Sequence, residues 1–184
     1  MSAPIPASLS IHSLLIGTCA PLLGNLSGLL DKGAQLAQAK GFDPAVLVGA
    51  RLAPDMFALG RQVQVACELA RNSVARLTGQ APAPAQEPGQ TLEELKGSIA
   101  ATIDYLHGIA AATFEGADTR DIEIQLPNDR VARMTGARYL RDWALPHFYF
   151  HVVTAYDILR HNGVEIGKPN YMAHIADAIH PRGQ

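Results

Sequence analysis

The stretch that decides the fold is Pro146–Gly163, PHFYFHVVTAYDILRHNG. It reads as a helix opened by Pro146 and closed by Asn162-Gly163. A proline at the first helical position sacrifices no bond, because that amide has no partner inside the helix. A glycine just past the end permits the left-handed turn that stops a helix. Between those marks Phe148, Val152, Ala155 and Leu159 form one stripe, and Tyr149, Val153 and Tyr156 form the next. A helix apolar almost all round is expected in the middle of a bundle. His147 and His151, four apart, share one face.

Working outward, three more long helical patterns appear. From about Ser8 to Lys40, Ile11, Leu15, Leu22, Leu26, Leu29 and Leu36 recur at helical spacing. Ser8 or Ser10 can cap the start, Gly41 ends the run, and Pro21 is expected to kink or interrupt it. The second helix is expected to open at Pro54, with Asp55 favouring the dipole. Its stripe is Leu59, Val63, Ala66, Ala70, Val74 and Leu77. Residues 80–90, QAPAPAQEPGQ, read as an extended strap long enough to cross a bundle. The third helix opens on a capping box, Thr91 with Glu94. Ile122, Ile124 and Leu126 then alternate with polar residues, and Pro127-Asn128-Asp129 is a turn signal, so a small hairpin is expected. A short helix, Ala137–Leu145, leads into the last one. A further short helix near Tyr171–Ile179 is expected in the tail.

With 184 residues, 48% hydrophobic and 17% charged, the chain suits one globular domain spanning residues 1–184. A net charge of −2 without a basic block argues against a dedicated nucleic-acid binder. Cys19 and Cys67 do not form a CxxC pair, which fits a reducing compartment. No Lys or Arg precedes Lys32, so a signal peptide's charged start is missing. No apolar run is expected to reach the ~20 residues a bilayer requires. The expectation is a cytoplasmic protein with no membrane partner.

The chemistry-bearing candidates are few. The sequence holds no nucleophile elbow, P-loop, dinucleotide fingerprint or HExxH. Imidazoles at His147 and His151 project over the same turn and can chelate one divalent ion, given a third donor from another helix. On the second helix Asp55, Gln62, Gln64, Cys67 and Glu68 are the polar choices; the bland alternative is a hydrogen-bonded core His151. Tyr149 and Tyr156 read as packing, and Arg160 with His161 suits the helix C-terminus. Trp143 reads as an anchor for the short helix.

Several segments carry a family resemblance. Arg51-Leu-Ala-Pro-Asp-Met-Phe, Arg61-Gln-Val-Gln, Phe114-Glu-Gly-Ala, Tyr139-Leu-Arg and above all LPHFYFHVVTAYDILRHNGV, Leu145–Val164, resemble an uncharacterised bacterial domain-of-unknown-function family. That family is similar to the DinB/YfiT-like superfamily. The resemblance implies an up-down-down-up four-helix bundle, often a homodimer; with the small hairpin read above before the last helix, the expected class is all-α. It also implies a divalent metal, zinc or nickel, on three histidines, and in some members a thiol S-transferase or isomerase activity. His147 and His151 match two of the three; Gln62 and Gln64 stand near the third.

Three expectations follow. The first is an enzyme, hydrolase or thiol S-transferase in type, with metal ligands His147, His151 and Gln62. The second is a metal-free module whose small-molecule pocket is lined by Asp55, Gln62, His151 and Tyr156. The third is a structural dimer.

Overall fold

A computed structural model describes residues 9–82, 84 and 89–182. The leader and part of the 80–90 strap lie outside the described residues. The fold is mostly helical, with one two-stranded antiparallel hairpin. Helix α1 spans Ile11–Lys40, the one-turn α2 Ala45–Gly49, α3 Leu59–Leu77 and α4 Leu92–Gly108. The hairpin follows as β1, Asp121–Leu126, and β2, Arg130–Thr135. Short α5, Gly136–Tyr139, leads into α6, Leu145–His161, and α7 is a single turn at Lys168–Tyr171.

Local hydrogen-bond chemistry sets many of these boundaries. Ser10 caps α1 by accepting from the Ser13 amide at 3.0 Å, and Gly41 closes it at φ +68°. Thr91 and Glu94 form the expected reciprocal box at the start of α4, at 3.1 and 3.2 Å. Asn128 and Asp129 take left-handed conformations at the hairpin turn. The register Ile122↔Met134 and Ile124↔Ala132 turns both isoleucines onto the core. A 3-10 segment at Ala173–Ala178 takes the place of the short helix expected near there.

Four expectations need correction. Helix α3 opens at Leu59, not Pro54. The Arg51 guanidinium donates to the Pro54 and Met56 carbonyls at 3.3 and 3.2 Å, and the Leu59 amide reaches back to the Ala50 carbonyl at 2.9 Å. Those bonds close residues 50–58 into a loop and take the Ala50, Pro54 and Met56 carbonyls away from a helical ladder. Pro21 does not interrupt α1. An interior proline costs roughly 3 kcal/mol, whereas Leu15, Leu22, Leu23 and Leu26 beside it are all buried, each contributing about 1.5–3 kcal/mol.

Pro146 does not open a new helix either. The chain is helical from Gly136 onward and widens into a π-turn at Leu140–Ala144 before α6. Finally, α1 contains an 18-residue stretch long and apolar enough to cross a membrane by length and composition, half of it buried inside the fold. No charged residue precedes Asp31, so scattered small polar residues leave the stretch apolar without an unbroken hydrophobic run.

Helix α1 packs against α4 and α6, and α3 packs against the same two. The buried residues of all four join one core. Helix α6 therefore meets two neighbours, and its far side is open: Tyr149, Phe150 and Val153 are exposed. The Phe148–Val152–Ala155–Leu159 stripe is covered, together with His151, Thr154 and Ile158. Two close approaches hold the ends in place. A Cβ on Gly60 would stand 3.0 Å from Val48, so glycine lets α2 sit on α3. A Cβ on Gly136 would stand 1.8 Å from the Ala117 carbonyl oxygen, where only glycine fits.

Candidate functional site

The long-range pairing of α3 with α6 brings Gln62 to His151. Both are buried, at 1% and 5% exposure. The His151 Nδ1 and the Gln62 Oε1 lie 2.7 Å apart, and the Gln62 Nε2 donates to the Phe57 carbonyl at 3.1 Å. This chain of bonds has one consistent proton assignment. A backbone carbonyl only accepts, so the amide nitrogen of Gln62 must face Phe57. Its oxygen then faces His151 and also only accepts. Nδ1 therefore carries the proton, and Nε2 is left with a bare lone pair.

Electrostatics agree with a neutral ring. Burial, then the neighbouring His147 and the Arg61 guanidinium, lower the His151 pKa to about 4. Burial also lowers that of His147, which is half-buried. The two imidazole centroids are 5.0 Å apart. Trp143 meets His147 edge-on at 5.9 Å, and Phe150 meets His151 in the same way at 5.3 Å. A shallow depression of about 270 Å³ opens at Asp142, Trp143, Pro146 and His147. The π-turn at Leu140–Ala144 delivers Trp143 to this rim, and such turns are frequent at functional sites.

Other expected residues stand elsewhere. Asp55 is exposed on the loop before α3. Tyr156 lies five positions beyond His151, about 140° round α6, and packs on Tyr171 at 6.2 Å. Of the four residues expected to line a pocket, the fold brings together Gln62 and His151. Glu68 accepts from Arg61 at 3.2 Å and from Gln64 at 3.0 Å. The Cys67 thiol is buried and pushed up to about 11, which leaves it unreactive. The Phe57 carbonyl was invisible to sequence reasoning, because a backbone acceptor has no residue-type signature. Trp143 beside His147 was legible in principle, being four positions away on a helical path.

A metal fits this donor set poorly. Among the described residues no three His, Cys, Asp or Glu side chains converge. The third candidate, Gln62, has its amide committed at both ends. It orients an imidazole and does not offer a free oxygen beside one.

The sequence model of a family described as Domain of unknown function (DUF1993) matches residues 11–172. The chain belongs to the DUF1993 family. The crystal structure of a DinB family member protein from Shewanella denitrificans is similar to this DUF1993 domain at 43% identity, over 88% of this chain and 91% of that one, with a TM-score of 0.80. No curated protein matches. The DUF1993 domain is thus an uncharacterised DinB-like domain, as the resemblance implied.

Proposed function

We propose that this DinB-like chain binds a small organic molecule beside His151 without a resident metal. The ring presents Nε2 as a neutral hydrogen-bond acceptor to a phenol, thiol or amide donor. The observation that carries the reading is the Phe57 carbonyl–Gln62–His151 chain of bonds, which sets the tautomer of a buried imidazole. Trp143 and Pro146, at the depression beside His147, supply an apolar rim for the body of the ligand. Fixed polar groups in a mostly apolar surround are what small-molecule sites use. Thermal melts of untagged protein test it. Stabilisation by members of a panel of small phenols and thiols, and none by zinc or nickel, is expected; the reverse pattern rejects it.

A second reading keeps zinc or nickel on His147 and His151, serving a hydrolase or thiol S-transferase. One observation favours it: metal-bound imidazoles characteristically give their other ring N–H to an oxygen acceptor, as His151 does to Gln62. Stoichiometric zinc or nickel in protein purified without a His-tag would support this reading over the first.

We read the helix order as an up-down-down-up four-helix bundle, supported by the packing of α1 and α3 each against both α4 and α6. We read residues 1–184 as one domain and the chain as a cytoplasmic homodimer without nucleic-acid or membrane partners. The low net charge without a basic block and the open apolar side of α6 support this. Sedimentation equilibrium at micromolar concentration decides the oligomeric state.

A further inference from the structure

Phe57 also lines a second cavity of about 490 Å³, between α2, the 50–58 loop, the start of α3 and Gly89-Gln90. We propose that it is a binding site for a small carboxylic acid with an apolar body, with Arg51 and Arg61 as the anion contacts and Phe57 as the apolar wall.

The charge balance points to an anion. Arg51 and Arg61 both line the cavity, and among the described residues no Asp or Glu does. Arg51 is braced by two backbone carbonyls, of Pro54 and Met56, and among the described residues has no carboxylate partner. A guanidinium held that way loses little freedom on engaging a ligand, and its planar fork matches a carboxylate with two parallel bonds. Arg61 gives one nitrogen to Glu68 and keeps further donors. The nearby Glu94 carboxylate is used on the Gln90 and Thr91 amides at the start of α4.

The apolar side is equally specific. Phe57 is 53% exposed on a loop tied to the core, so its ring face is open at the cavity. Arg61 lies over its ring at 5.7 Å, so a charged group and an aromatic face are presented side by side. Ala45, Val48 and Gly60 complete the apolar surround. Glycine at position 60 matters here too, because a side chain there would press on Val48 and the Gly89 carbonyl. The cavity falls within the roughly 300–1,000 Å³ of small-molecule sites. This proposal stands on the arginines and Phe57 alone and does not rest on the reading of His151.

Backbone amide NMR titration of the full chain with benzoate, benzamide and inorganic phosphate is the test. Benzoate is expected to give saturable shifts at Phe57, Gly60 and Arg61, with benzamide at least tenfold weaker. Phosphate, which lacks the apolar body, is expected to be at least tenfold weaker as well. Arg51→Gln and Arg61→Gln should each weaken benzoate about tenfold, and the second variant reads the site if the first disturbs the loop. Equal shifts from benzamide, phosphate binding as well as benzoate, or full benzoate affinity in both variants would overturn the assignment.

Discussion

Gln62 and His151, 89 residues apart in sequence, meet at 2.7 Å in the buried contact between α3 and α6. Each is satisfied by the other, and Gln62 is satisfied at its far end by Phe57. A buried polar pair of this kind is costly to break from one side, because the abandoned partner keeps its desolvation penalty.

Gln62→Leu is therefore expected to destabilise the fold by about 1–3 kcal/mol, since it strands both the His151 N–H and the Phe57 carbonyl. Urea denaturation at pH 7.5 measures it. A double-mutant cycle with His151→Phe should recover part of that loss, as removing both partners is cheaper than removing one.

The pH dependence follows from the depressed His151 pKa. The ordinary value is near 6.5 and the folded value about 4. Below pH 6.5 the unfolded chain takes up a proton that the folded chain refuses, so stability falls as pH drops from about 6.5 to 4 and the contribution levels off below that. The loss is about 3–3.5 kcal/mol at most. Denaturation midpoints of wild type and His151→Gln between pH 7.5 and 4 check it; the variant should show the shallower decline. Nitrogen-15 shifts of the ring should report a proton on Nδ1 and none on Nε2 at pH 7.

Gly136→Ala tests the junction between the hairpin and the last helix. Its added methyl would fall 1.8 Å from the Ala117 carbonyl oxygen, and the Gly136 and Ala137 amides also bond across this junction, at 2.8 and 2.9 Å. The backbone must shift, at a cost of about 2–4 kcal/mol. Hydrogen exchange should rise first in β1 and β2; an unchanged hairpin would contradict the packing described.

Both cysteines are buried, and their thiols are pushed up to about 12 at Cys19 and about 11 at Cys67. Ellman's reagent at pH 8 should label neither in the native protein and both after unfolding. Fast native labelling of Cys67 would place it at the surface and dissociate it from the core of α3.

Several elements were legible because their causes lie within a few residues. The Thr91–Glu94 box needs only a hydroxyl and a carboxylate three apart. The hairpin shows in the alternation of Ile122, Ile124 and Leu126 and in the turn residues after it. The start of α3 was not legible, because the carbonyls of Pro54 and Met56 are taken by a side chain, Arg51, whose reach no propensity records.

By itself the sequence determined that the chain is mostly helical, where α1 and α4 are capped, and that His147 and His151 share a face. Those follow from backbone hydrogen bonds and side-chain periodicity, which act over one or two turns. Tertiary structure alone decided that α6 has two long neighbours and an open side carrying Tyr149, Phe150 and Val153. It also decided that Gln62 orients His151. Burial and pairing between distant segments depend on how whole helices are placed, and no local pattern encodes that placement.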